Sequence, residues 1–98
     1  MTINKTTKKD SIILAIEGRV DTTTAPQLDD MIKEAAKTAN ILVLDFEKVE
    51  YISSAGLRVL LTGHKAMANK YGLKIINANE DIKEIFEVTG FSDILNIE

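Results

Sequence analysis

A short and nearly continuous apolar run, Ile41 to Leu44 resumed at Phe46, is followed by a polar connection. After it an apolar stripe at helical spacing opens directly behind Ser53-Ser54. The run reads as a strand buried on both faces. The stripe, Leu57, Leu60, Leu61, His64, Ala68 and Tyr71, reads as the inner face of a helix, with Arg58, Thr62, Lys65 and Asn69 outside it and Gly72 placed to stop it.

The other elements fall into the same alternation. Thr2 to Thr7 alternates weakly and is expected as an edge strand. Lys8-Lys9-Asp10 reads as a turn, and Ser11 to Glu17 as a hairpin partner ended by Gly18. Thr24-Ala25-Pro26-Gln27 has the form of a capping box: Thr24 would cap, Pro26 would sit in the tolerant first turn, and Gln27 would reach back. A first helix follows, with Ala25, Leu28, Met31, Ile32, Ala35 and Ala39 as its stripe and Asp30, Lys33, Glu34 and Lys37 facing away. Leu73 to Asn77 is a further strand. Asn79 caps a third helix with Glu80 and Asp81 in its first turn, Ile82, Ile85 and Phe86 inward, and Gly90 at its close. Ile94 to Ile97 is expected as a last edge strand. The order β-β-α-β-α-β-α-β predicts one α/β domain over residues 1–98, a mixed and mostly parallel sheet behind an antiparallel hairpin, with helices over at least one face.

Composition removes several classes of function. Apolar residues form 45% of the chain and charged residues 28%, the balance of a folded domain and not of a disordered one. The net charge of −3, with Lys8-Lys9 as the only basic pair, leaves no basic excess to displace counterions, so nucleic acid is not expected as a partner. The longest apolar run, Ile12 to Ile16, is far too short to span a membrane. Met1-Thr2-Ile3-Asn4-Lys5 lacks the apolar core of a signal peptide, so a cytoplasmic protein is expected. With no cysteine there is no disulfide, zinc thiolate or thiol catalysis.

Two segments stand out as sites. If Ser53 caps the second helix, its oxygen accepts from the N–H of Ala55 or Gly56, and Ser54 becomes the first helical residue with its hydroxyl outward. Gly56 lies in the first turn, where Gly costs roughly 0.5–1 kcal/mol relative to Ala, which makes sense where another group must come close. Ser54 has no base within reach: His64, the only histidine, is ten residues further along the same helix, roughly 15 Å away. The second segment is Gly18 to Thr24. If the strands before it and before Ser53 run parallel, Asp21 and Ser54 lie on one carboxyl edge of the sheet, where ligands and partners of open α/β sheets gather. Asp21 is expected to serve that surface while contributing little to the fold. Asp29-Asp30, Asp45, Glu47 and Glu50 match no metal loop, there is no glycine-rich phosphate loop, and no cofactor is expected.

Gly18-Arg19-Val20-Asp21, the segment from Asp45 through Ser53-Ser54-Ala55-Gly56-Leu57, and Gly72-Leu73-Lys74-Ile75 together resemble a STAS domain over nearly the whole chain. Within that family the chain most resembles the stand-alone bacterial anti-sigma factor antagonists. The resemblance implies a non-enzymatic partner switch. The unphosphorylated antagonist binds an anti-sigma factor that is also an ATP-dependent serine kinase, and frees a sigma factor. Phosphorylation at the helix start releases it, and a metal-dependent serine phosphatase resets it. The family pattern is often Asp-Ser-(Ser/Thr)-Gly-Leu. Aligned on Gly56-Leu57 it puts the phosphosite at Ser54 and replaces the family aspartate by Ser53. Asp21 matches a family aspartate in the kinase-facing loop, so the implied partner surface is Asp21, Thr22, Ser53, Ser54, Ala55, Gly56 and Arg58. The chain is expected to stop short of a final helix that many members carry. Two rival expectations differ in class: a STAS subunit of a lipid transporter or signalling scaffold without phosphorylation, and a small nucleotide-binding module.

Overall fold

The computed structural model describes all 98 residues. Five strands and three helices follow in the order expected: β1 (Thr2–Thr7), β2 (Ser11–Val20), α1 (Ala25–Ala36), β3 (Ile41–Ile52), α2 (Ser54–Ala66), β4 (Leu73–Ile76), α3 (Glu80–Thr89) and β5 (Asn96–Ile97). A 3₁₀ turn, Phe91–Asp93, leads into β5. The sheet order is β1-β2-β3-β4-β5, with β1 antiparallel to β2 and every other pair parallel.

Alternation along the strands selects one face for burial. Ile12, Leu14 and Ile16 on β2, Leu42, Leu44 and Phe46 on β3, and Leu73 and Ile75 on β4 join Leu28, Ile32, Leu57, Leu60, Ile82 and Phe86 of the helices in one core. Phe46 and Phe86 meet with ring centroids 6.3 Å apart. All three helices therefore cover the same face. On the other face Ile13, Ala15, Asp45 and Ile76 are only half-buried.

Two strands run further than their sequence suggests. β3 continues through the segment read as a polar connection, to Ile52. Its core-facing residues are spaced by two up to Phe46, at Leu42, Leu44 and Phe46, and by three thereafter, at Val49 and Ile52, while Val43 is buried on the other face. The pairing with β2 gives the cause. Ala15 opposes Asp45 but Glu17 opposes Lys48, and Gly18 opposes Val49 but Arg19 opposes Tyr51, so β3 carries an extra residue at each step. Two β-bulges thus place Glu47-Lys48 and Glu50-Tyr51 outward as pairs while the strand goes on. Gly18 does not end β2. It lies inside the strand with φ of 104°, and β2 reaches Val20.

The second half of β3 has no β4 beside it, since β4 ends opposite Asp45. The start of α3 takes that place. Asn79 caps α3 by accepting from the Ile82 N–H (2.9 Å), as expected, and its amide donates to the Val49 carbonyl (3.2 Å).

The far end of α2 departs from expectation. The helix stops at Ala66, not at Gly72, and residues 67–71 turn back toward β4. Met67 is fully buried, whereas Ala68 is exposed and Tyr71 is 83% exposed. Ordering the turn, the Lys70 ammonium donates to the carbonyls of Ala36 (2.6 Å) and Ala39 (3.0 Å), at the end of α1 and just beyond it. His64, on the stripe expected to face inward, is half-buried, and its Nδ1 has no hydrogen-bond partner. β5 forms over Asn96–Ile97 alone, and Ile94 is exposed.

Candidate functional site

The parallel pairing of β2 with β3 brings their carboxyl ends to one edge of the sheet. The Ser53 N–H donates to the Val20 carbonyl at 2.8 Å, joining the start of α2 to the end of β2 one residue before Asp21. Behind this bond Gly56 is buried. A Cβ on Gly56 would lie 2.7 Å from Ile52 Cγ1 and 2.8 Å from Val20 Cγ1. The close approach that favours Gly56 is thus internal: it lets the first turn of α2 sit on the two strand ends.

The two serines are used differently. Ser53 is extended (φ −94°, ψ 177°), and its oxygen accepts from the Gly56 N–H at 3.4 Å, while its carbonyl accepts from the Leu57 N–H at 2.9 Å. It is the N-cap, as read from the sequence. Ser54 is the first helical residue, is exposed, and makes no side-chain hydrogen bond. Ala55 is half-buried beside it, and Arg58 is exposed on the next turn.

Asp21 is not the bare surface group expected. One carboxylate oxygen accepts from the N–H groups of Thr23 (3.0 Å) and Thr24 (3.1 Å). The Thr24 hydroxyl accepts in return from the Asp21 N–H (2.9 Å) and donates to the Arg19 carbonyl (2.7 Å). That reciprocity is a capping box, but its members are Asp21 and Thr24, one turn ahead of the Thr24–Gln27 box expected. Thr24 has helical backbone angles and makes no side-chain cap bond into α1. Donation from Thr24 holds the Asp21 carboxyl below its ordinary value of 3.8, with smaller help from the Thr23 N–H and from Arg19. Thr22 is exposed at the tip of the turn.

A further pair was not legible in the sequence. Arg19 and Tyr51 are register partners, and the guanidinium lies 4.4 Å from the centre of the Tyr51 ring, with its Nε 3.9 Å from the Asp21 carboxylate. Their juxtaposition follows from the second bulge, which nothing in the local sequence announces. The site is a surface and not a cleft: the hollows of the chain lie elsewhere, and none is lined by Asp21, Ser53 or Ser54.

A five-stranded, mostly parallel mixed sheet covered by three helices is the architecture of a STAS domain. The STAS family model matches residues 2–98, and the chain belongs to that family. It is 31% identical over 100 residues to the anti-sigma-B factor antagonist of Bacillus subtilis, covering 99% of this chain and 92% of that protein. The corresponding antagonist of Listeria monocytogenes is 29% identical over 91 residues, covering 91% of this chain and 80% of that one. Among solved structures, an anti-sigma factor antagonist from Mycobacterium paratuberculosis superposes with a TM-score of 0.89 at 22% identity, over 98% of this chain and 83% of that one. The Bacillus cell fate determinant SpoIIAA in its phosphorylated form superposes with a TM-score of 0.76 at 14% identity, over 99% and 91% of the two chains. The chain is thus a homologue of anti-sigma factor antagonists, proteins that act by binding and not as enzymes. No helix is long and apolar enough to cross a membrane.

Proposed function

We propose that this chain is a phosphorylation-controlled anti-sigma factor antagonist. Unmodified, it binds an anti-sigma factor that is also a serine kinase, through Asp21, Thr22, Ser53, Ser54, Ala55 and Arg58, with the buried Gly56 seating that surface on the strand ends, and so frees a sigma factor in the cytoplasm. The kinase then ends the complex. The Ser54 oxygen bonds to the γ-phosphorus of ATP, the bond to ADP breaks, and the hydroxyl proton leaves. A metal-dependent serine phosphatase hydrolyses the ester and restores the binding form.

The observation that supports this most directly is the division of labour between the serines. The cap occupies Ser53, and Ser54 keeps a free, exposed hydroxyl at the position aligned with the family phosphosite. A dianion there meets the unpaired N–H groups of the first helical turn, an environment that stabilises it in the free domain by up to about 2 kcal/mol. In a close-packed interface the same charge is disfavoured by desolvation and by any facing carboxylate. A tenfold loss of affinity needs only about 1.4 kcal/mol.

The test is to incubate wild type, Ser53→Ala and Ser54→Ala with the anti-sigma factor encoded in the same genome and ATP, then read intact mass and affinity. Wild type and Ser53→Ala should gain one phosphate and dissociate. Ser54→Ala should bind and stay unmodified. Phosphate on Ser53 alone, or equal affinity of modified and unmodified forms, would refute the switch. Stable binding indifferent to charge at Ser54 would favour a subunit of a larger assembly instead.

A further inference from the structure

The chain has two arginines, Arg19 and Arg58, and both lie at the edge that carries Ser54. Their situations differ. Arg19 is stacked on Tyr51 and 3.9 Å from the Asp21 carboxylate. Arg58 is exposed and forms no ion pair. No carboxylate occurs anywhere in α2, whose only Lys or Arg residues are Arg58 and Lys65. Arg58 therefore has no anion on its own helix.

Ser54 and Arg58 are four residues apart on one helix, and both are exposed. That spacing stacks their Cβ atoms about 5–6 Å apart on the same face. Long helical side chains lean toward the N-terminus, so the Arg58 side chain is directed back over the turn that begins with Ser54. An anion N-terminal to a cation at this spacing is the favoured orientation, and a guanidinium matches phosphate with two parallel N–H donors. A phosphate on Ser54 would be the first anion on the helix and would sit within reach of its one unpaired arginine.

We infer that the Ser54 phosphate is received in cis by Arg58 across one helical turn, so that modification also withdraws a free cation from the contact surface. The inference rests on the switch proposed above and concerns its regulation. The surface then changes in two ways at once: an anion appears, and the exposed guanidinium beside it is neutralised. A partner face that docks a carboxylate against Arg58 loses that contact as well as meeting the new charge.

The experiment installs phosphoserine at position 54 during synthesis by an expanded genetic code, so its outcome does not depend on any kinase. Failure of the kinase assay would sink the switch, whereas failure here would sink only the role of Arg58. The second ionisation of the phosphate, ordinarily near pH 6, is followed by phosphorus NMR. An Arg58 contact favours the dianion, so the midpoint in wild type should lie about half a pH unit below that of Arg58→Gln. Arg58→Lys should fall between the two, since it keeps the charge and loses the fork. Phosphoserine at position 53 should be indifferent to Arg58→Gln, being five residues away on another side of the helix. Arg58 packs in no ion pair, so its variants keep the fold, which amide NMR spectra check. Equal midpoints in wild type and Arg58→Gln, or a rise caused instead by Arg19→Gln, would overturn the assignment.

Discussion

Replacing Gly56 by Ala tests whether the site is held by the close seating of α2 on two strand ends. The new methyl would fall 2.7 Å from Ile52 Cγ1, 2.8 Å from Val20 Cγ1 and 3.2 Å from the Val20 carbonyl oxygen. Neither neighbour yields easily. Val and Ile are β-branched and stiff at χ1, both are buried, and the third contact is backbone. Relief requires α2 to move away from Val20, which loads the Ser53 N–H bond to that carbonyl. Overpacking of this kind costs about 1–3 kcal/mol. Against it stands the helix preference of Ala over Gly, roughly 1 kcal/mol. Contacts this unyielding place the cost in the upper part of that range, about 2–3 kcal/mol, so the net expectation is a loss of about 1–2 kcal/mol, or roughly 4–15 °C in Tm for a domain of this size. Thermal and urea unfolding followed by circular dichroism give both numbers. Partner affinity should fall by more than the folded fraction explains, because Ser53 and Ser54 ride on the displaced turn. A variant as stable as wild type, or more so, would show that the first turn of α2 relaxes freely and that the seating argument is wrong.

Other expectations follow from single contacts. Asp21→Ala should lower Tm by several degrees as well as weaken partner binding, since it removes the acceptor for two backbone N–H groups; unchanged Tm would contradict the capping box. Because the folded-state pKa of Asp21 lies below its unfolded 3.8, its contribution is complete above that value and is lost as pH falls through the folded pKa. The acid limb of the stability curve should therefore be shallower in Asp21→Ala than in wild type, and carboxylate NMR should show Asp21 titrating below 3.8. Lys70→Met should cost about 1 kcal/mol through the carbonyls of Ala36 and Ala39, read by urea unfolding, although Lys70 is exposed. Asn79→Ala should cost about 1 kcal/mol by uncapping α3, and hydrogen exchange at the Ile82 amide should rise with it.

The sequence carried the order of elements and the core because both rest on periodicity. The stripes of α1 and α3 are the ones the structure buries: Ala25, Leu28, Ile32 and Ala35 on α1, and Ile82 and Phe86 on α3. It failed where a period breaks. Glu47-Lys48 and Glu50-Tyr51 look like a loop because each bulge turns two neighbours outward, and only the pairing with β2 shows that the strand continues. A helix continuing to Gly72 would put Ala68 inside; the early stop at Ala66 turns Met67 into the core instead. Asp21-x-x-Thr24 and Thr24-x-x-Gln27 both fit the capping-box pattern, and only the hydrogen bonds of the folded turn distinguish the first from the second. Ser53 and Ser54 were legible because capping is local: a single cap consumes one hydroxyl and leaves its neighbour free.

The same contrast between local and tertiary causes bears on how a modification at this edge would act. Nothing in the core touches the Ser54 hydroxyl, which is exposed and unbonded, so adding a phosphate disturbs no packed contact. The platform beneath it is fixed by the Ser53 cap, the Ser53 bond to Val20 and the buried Gly56. A charge on a rigid platform changes the potential over the surface without changing its shape. Native circular dichroism after phosphorylation is then the expectation, and the whole effect must appear in affinity. The arginines set how that effect is shared. Arg19 already faces Asp21 and Tyr51, so it buffers the new charge less than Arg58, which has no anion until Ser54 acquires one. A rearranged fold on phosphorylation would require a hidden contact of Ser54, and this structure has none to break.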